Sequence, residues 1–149
     1  MKFTTWNVNS INARINHLIK FIKTDQSDIY LLQELKCIEE NFPIQEIEEL
    51  GYKSYINGQK AWNGVAFLSK KPLKILNNNI PTFKEDDNAR FLEAEIILKK
   101  LNKKIRLINI YLPNGNPIET SKFDYKIKWM KKFNKYILDL YNKNIPLII

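Results

Sequence analysis

The stretch Phe3-Thr4-Thr5-Trp6-Asn7-Val8-Asn9-Ser10-Ile11-Asn12 places two asparagines in what its β-branched and aromatic residues mark as a strand over Phe3–Asn9. Asparagine is depleted in strands because its amide competes for backbone hydrogen bonds. Asn7 and Asn9 therefore need a compensating use. Beyond them, Ser10 or Asn12 can cap a helix whose apolar stripe is Ile11, Ile15, Leu18 and Ile22. The turn Asp25-Gln26-Ser27 ends that helix, and Asp28–Glu34 is a nearly unbroken apolar strand of the kind covered on both faces. Strand, helix, strand gives a parallel pair with a right-handed crossover. The carboxyl ends of both strands then share one edge, which sets Asn7 beside Glu34 where open α/β sheets bind ligands.

Outward from this unit the chain stays α/β. Pro43 opens a short helix carrying Ile44, Ile47 and Leu50, with Gly51 just past its end. Strands follow at Tyr52–Ile56, Gly64–Ser69, Leu73–Leu76, Phe91–Leu98 and Ile105–Leu112. The links Asn57-Gly58, Lys70-Lys71-Pro72 and Leu101 to Lys104 are short or polar, as in hairpins between antiparallel neighbours. These readings predict one mixed sheet flanked by helices. Lys122–Asn142 is a long amphipathic helix with Phe123, Ile127, Met130, Phe133, Ile137 and Leu140 on one side and Lys126, Lys131, Lys132 and Lys135 elsewhere. Asn144-Ile145-Pro146 leads into Leu147-Ile148-Ile149, and no repeat, low-complexity tract or linker interrupts the pattern.

At 149 residues with 44% hydrophobic side chains, one domain or part of one is expected. The single cysteine, Cys37, cannot form an internal disulfide and suggests a reducing compartment, so a cytoplasmic location is expected. No apolar run approaches the roughly 20 residues of a membrane helix, and Lys2 is not followed by the apolar segment of a signal peptide. The expectation is no membrane association. A net charge of +8 favours polyanions, nucleic acid first among them, through counterion release. A lysine-rich codon bias gives the same charge without any ligand.

An amide oxygen from Asn7 and a carboxylate from Glu34 suit a hard cation such as Mg²⁺, which keeps several waters and needs few protein groups. An isolated pair of this kind is more commonly a loop-satisfying amide and a solvated strand terminus. Six motifs along the chain decide between them. T-W-N-V-N-S-I-N-A-R, L-L-Q-E-L-K, L-G-Y, G-Q-K-A-W-N-G-V-A, A-R-F-L-E-A-E and N-I-Y-L-P-N-G stand in the order and spacing of the exonuclease III family. The chain resembles these Mg²⁺-dependent apurinic/apyrimidinic endonucleases from Lys2 to Ile149. Sphingomyelinases and inositol-polyphosphate phosphatases of the wider superfamily share the first strand and the Gln-Glu pair, but match G-Q-K and Y-L-P-N-G less well.

The resemblance implies that Asn7 and Glu34 hold Mg²⁺, with Mn²⁺ as a substitute, and that Tyr111 is the catalytic tyrosine whose hydroxyl meets the phosphate. It also implies DNA or phosphate contacts from Arg90, Lys60, Lys122, Lys126 and Asn114, with Gln59 and Trp62 in the same loop as Lys60. His17 reads as a surface residue. Asn12 stands where many relatives have arginine, while Arg14 remains. After a strand like I-P-L-I-I the family continues with Gly-Asp-x-Asn, then another aspartate and a terminal Asp-His pair, none of which occurs in residues 1–149.

The implied fold is the amino-terminal half of a four-layer α/β/β/α sandwich. The implied activity is hydrolysis of the DNA backbone 5′ to abasic sites and from 3′ ends, with double-stranded DNA as partner and residues 1–149 alone inactive. Apolar surface meant for the remaining half predicts aggregation or self-association, with no other protein partner implied. The alternatives are a non-catalytic nucleic-acid-binding fragment and a lipid or inositol-phosphate phosphoesterase.

Overall fold

Ser10 caps the first helix: its hydroxyl accepts from the Ala13 N–H at 3.4 Å, and Gln26, left-handed at φ 52°, closes the other end with its N–H on Ile22 O. In the computed structural model, which describes residues 1–98 and 103–149, that helix is α1 (Ile11–Asp25), between β1 (Phe3–Asn7) and β2 (Ile29–Gln33). A 3₁₀ turn at Glu39–Asn41 precedes α2 (Ile44–Glu48). Then come β3 (Lys53–Asn57), β4 (Val65–Ser69), β5 (Lys74–Asn77), β6 (Phe91–Leu98), β7 (Lys103–Ile110), α3 (Ser121–Asn142) and β8 (Leu147–Ile148). The expected link from Leu101 to Lys104 lies in part outside the described residues.

The strands do not form one sheet. They form two, in the orders β1-β2-β4-β3 and β5-β6-β7-β8, and each is mixed: β1 is parallel to β2 and β7 to β8, with the remaining pairs antiparallel. The correction lies at Lys70-Lys71-Pro72, which carries the chain from the first sheet into the second instead of turning a hairpin. Ser69 Oγ accepts from the Lys71 N–H at 3.1 Å and bonds Lys71 O at 2.7 Å, closing the turn on itself. Pro72 has no N–H to continue a ladder, and the Leu73 N–H leaves the strand direction to bond the Tyr55 hydroxyl at 2.9 Å.

The sheets face each other through Ile29, Leu31, Val65 and Phe67 on one side and Leu92, Ala94, Ile96 and Leu107 on the other. Ile11, Leu18 and Ile22 of α1 cover the outer face of the first sheet against Leu32, Ala66 and Leu68, while Trp129, Tyr136 and Leu140 of α3 cover the second against Phe91 and Ile108. That is a helix, sheet, sheet, helix order, the layering of an α/β/β/α sandwich. Each fully buried Leu, Ile or Phe here contributes about 1.5–3 kcal/mol.

Two details depart from the periodicity. In α3 the buried anchor is Trp129, fully enclosed and stacked on Phe133, while Met130 is 43% exposed. The first strand stops at Asn7, and Val8 and Asn9 belong to the loop that builds the site.

Candidate active site

Asn7 pairs across the parallel ladder with Gln33, one residue before Glu34. The Asn7 amide nitrogen donates to Glu34 Oε1 at 2.7 Å, and the Asn7 amide oxygen accepts from the Asn9 N–H at 3.0 Å. The first asparagine thus joins the two strand ends and folds the loop behind it. Glu34 (φ 57°), Lys36 (φ 56°), Asn9 (φ 45°) and Ser10 (φ 83°) are all left-handed without being glycine. Such backbone costs about 1–3 kcal/mol per residue and persists where the surroundings over-determine it. Here they do: the Ser10 and Ile11 N–H groups bond Glu34 O and Leu35 O, and the Leu35 and Lys36 N–H groups bond Gly64 O and Asn63 O. Gly64 must be glycine, because at φ 89° a Cβ would lie 2.8 Å from Leu35 Cβ.

The second sheet brings Tyr111, one residue beyond β7, over the same carboxylate. The Tyr111 hydroxyl and the Glu34 carboxylate act on one another, each shifting the other's ionisation. Burial pushes the Glu34 carboxyl up, but the Asn7 amide, the Tyr111 hydroxyl and the Lys36 ammonium together hold it below its ordinary value. Burial, followed by the Glu34 charge, pushes the Tyr111 phenol above its ordinary value against the opposing pull of Arg90. At neutral pH the pair is therefore a carboxylate beside a protonated phenol, an acceptor and a donor. The Arg90 guanidinium lies 4.9 Å from the Tyr111 ring centroid and bonds Tyr111 O at 3.2 Å, while the Tyr111 N–H bonds Arg90 O at 2.8 Å. Arg90 Nε is buried without a partner.

Sequence reasoning missed Asn109. It is 1% exposed on β7, its amide nitrogen donates to Leu32 O and Ala66 O of the opposite sheet, both at 2.9 Å, and its oxygen accepts from Gln33 Nε2 at 2.7 Å. Gln33 also reaches Thr5 Oγ1 and Leu31 O, each at 3.0 Å. The signal was present: Ile105, Leu107 and Asn109 share one face of β7, and an amide among apolar neighbours on an inward face needs partners. Asn7, Gln33, Asn109 and Tyr111 form the polar end of an open cleft of about 430 Å³ between the sheets, continued by apolar Phe3 and Ile148.

Residues 4–149 match the model of the endonuclease/exonuclease/phosphatase family. The chain belongs to this family. It is 34% identical to exodeoxyribonuclease III of Haemophilus influenzae over 150 aligned residues, which take in 100% of this chain and 55% of that protein. Among solved structures, a variant of the 3′ phosphatase NExo from Neisseria bound to product DNA hairpin superposes with a TM-score of 0.87 at 32% identity, over 95% of this chain and 53% of that one. An AP endonuclease from Archaeoglobus fulgidus superposes with a TM-score of 0.81 at 30% identity, over 92% of this chain and 51% of that one. The chain spans about half the length of these endonuclease/exonuclease/phosphatase relatives.

Lys60, Trp62, Asn114, Lys122, Lys126 and His17 make no hydrogen bond to Asn7, Glu34 or Tyr111. Lys60 is exposed in the link between β3 and β4, beside Trp62, which is 70% exposed. Gln59 and Asn63 brace that link, since Gln59 Oε1 accepts from Asn63 Nδ2 at 2.7 Å and from the Ala89 N–H at 3.0 Å. Asn114 shapes its own turn through the Asn116 N–H at 3.1 Å, Lys122 is exposed, and Lys126 lays its stem over Gly115. His17 is exposed on α1. Among the described residues no three His, Cys, Asp or Glu side chains converge on a metal position. Glu34 offers carboxylate oxygens, which suit a hard divalent ion that fills its remaining positions with water; the Asn7 amide oxygen, bonded to the Asn9 N–H here, joins them if the amide turns over.

Proposed function

We propose that the chain supplies the ion-holding and phosphate-positioning part of a Mg²⁺-dependent DNA-repair nuclease that hydrolyses the backbone 5′ to abasic sites and from 3′ ends. The observation that carries this reading is the meeting of Asn7 and Glu34 from the first sheet with Tyr111 from the second, beside the cleft that Asn7 and Tyr111 line. Support comes from the +8 charge and from relatives that bear nuclease names. Glu34 and the Asn7 amide oxygen would hold Mg²⁺, or Mn²⁺ in its place, and the bound ion supplies charge stabilisation at the scissile phosphate.

The chain's own groups do the rest of the positioning. Tyr111, protonated at neutral pH, donates its hydroxyl hydrogen to a non-bridging phosphate oxygen as charge develops there. Arg90 fixes the ring that aims it. Lys60, Lys122 and Lys126 meet backbone phosphates, Asn114 shapes the turn beside Tyr111, and Trp62 stacks at the edge of the duplex. The lone thiol of Cys37, buried and pushed up to about 11, is unreactive as a nucleophile and suits the cytoplasm. Residues 1–149 alone bind DNA without cutting it, since among the described residues no Asp, Glu or His side chain lines the cleft and no group of three such side chains gathers at a metal position.

The test is titration of a duplex bearing an abasic-site analogue with the purified chain. Mg²⁺ is expected to raise the affinity of the unsubstituted chain and not of Glu34→Ala, with no incision by either. EDTA-sensitive cutting above the Glu34→Ala level would sink the claim of inactivity. Equal affinity for intact and abasic duplexes, with or without Mg²⁺, would favour the second reading, a non-catalytic nucleic-acid-binding module. That reading is suggested by the exposed Lys122 and the net charge. It predicts steeply salt-dependent binding that survives Glu34→Ala and falls in Lys122→Glu/Lys126→Glu.

A further inference from the structure

Both oxygens of the Glu34 carboxylate already have partners. Oε1 accepts from the Asn7 amide at 2.7 Å, and Oε2 lies 3.1 Å from the Lys36 ammonium, which also donates to Asn9 Oδ1. This is not a loose surface pair. The Lys36 and Glu34 side chains are 30% and 18% exposed, Lys36 is held in the left-handed region by its N–H on Asn63 O at 2.9 Å, and Asn9 is fixed by its own N–H on Asn7 Oδ1. One positive charge is thus held between oxygens that come from the ends of two neighbouring strands.

We propose that Lys36 is the resident counter-cation of this site, and that a divalent ion binds Glu34 by exchange with it. This deepens, and rests on, the reading that Glu34 takes such an ion. Before exchange, the ammonium on Oε2 and the Asn7 amide on Oε1 hold the carboxylate in place. As the ion enters, the ammonium leaves Oε2 and Asn9 Oδ1 and swings toward solvent on its four-carbon stem, because two cations sharing one carboxylate at a few ångströms repel strongly in a partly enclosed site. Lys36 therefore lowers the affinity of the site while holding it in shape. A neutral residue of similar length should raise the affinity, and arginine should keep it low.

The experiment measures Mn²⁺ binding to the full chain by loss of the free Mn²⁺ electron paramagnetic resonance signal. Lys36→Met is expected to bind at least tenfold more tightly than the unsubstituted chain, Lys36→Arg within threefold of it, and Glu34→Ala not at all. Unchanged or weaker binding by Lys36→Met, with Glu34→Ala still losing the ion, overturns the exchange and leaves the ion site standing. Full binding by Glu34→Ala overturns the ion site itself. A second measurement needs no substitution at Lys36. Acetylation by an N-hydroxysuccinimide ester, read by mass spectrometry, should speed up several-fold at Lys36 when Mg²⁺ is added, relative to exposed Lys135 on α3, and should not do so in Glu34→Ala. A rate at Lys36 that ignores Mg²⁺ overturns the proposal even if Lys36→Met fails to fold.

Discussion

Arg90 lies over the Tyr111 ring, its guanidinium carbon 4.9 Å from the centroid, its Nη1 donating to Tyr111 O at 3.2 Å and its carbonyl accepting from the Tyr111 N–H at 2.8 Å. The family resemblance implies a phosphate contact for this arginine. In the fold its guanidinium sits over the ring of Tyr111. Arg90→Met keeps the aliphatic stem and removes the stacking and the bond to Tyr111 O. A loss of about 1–2 kcal/mol is expected in the urea midpoint, and Arg90→Lys should not restore it, because an ammonium lacks the flat face.

Asn109 should be costlier to replace than its size suggests. Asn109→Leu fits the space but leaves Leu32 O, Ala66 O and the Gln33 amide without their buried partner. The expected destabilisation is about 2–4 kcal/mol by chemical denaturation. A loss below about 0.5 kcal/mol would mean that the sheets are held without this amide.

Glu93 is fully buried on β6. It accepts from Arg106 Nη1 at 2.6 Å and from the Tyr136 hydroxyl at 2.7 and 2.9 Å, with Asn77 as a further partner. Arg106→Met strands this carboxylate and should cost about 3–5 kcal/mol. The double variant Glu93→Leu/Arg106→Met should recover much of that, since an apolar pair of similar volume has no charge to desolvate. A double-mutant cycle on thermal or urea unfolding reads both.

The Asp25 carboxyl is held well below its ordinary value, first by Lys2 at 2.6 Å and then by Ser27, with Tyr30 and Thr4 adding to the effect. Its folded-state pKa is depressed, so the stability it contributes is fully present above the unfolded value of about 3.9 and is lost as pH falls toward the folded value. Asp25→Asn should therefore flatten the acid limb of the stability curve. Urea midpoints taken from about pH 6 down to about pH 2 check this, and an acid limb as steep in Asp25→Asn as in the unsubstituted chain would contradict it.

Much of this arrangement could be read before any coordinates. Apolar spacing located α1 and α3, and the parallel crossover alone placed Asn7 beside Glu34, because strand order and handedness fix which ends share an edge. The division into two sheets was hidden for a physical reason. Alternation along a strand reports which side chains share a face and nothing about which strand lies alongside, so Lys70-Lys71-Pro72 reads equally as a hairpin or as a passage between layers. Trp129 was masked in a similar way: the α3 stripe reaches the core at Phe133, Ile137 and Leu140, but at Met130 it points outward, and the neighbouring Trp129 fills the place instead. Arg90 and Lys36 were beyond reach because their roles depend on contacts across loops. No local pattern says that a guanidinium will lie on a phenol or that an ammonium will settle on a carboxylate two residues away.

Glu34 hangs from one sheet and Tyr111 from the other, with the Asn109 amide as a rivet between the layers. Slippage of β7 by a single residue would turn its inward face outward, taking Leu107, Asn109 and the phenol away from the opposite sheet together. The meeting of those two side chains is therefore a gauge of interlayer alignment, and a chain that had settled one notch out of true would forfeit its melting behaviour and its chemistry at once.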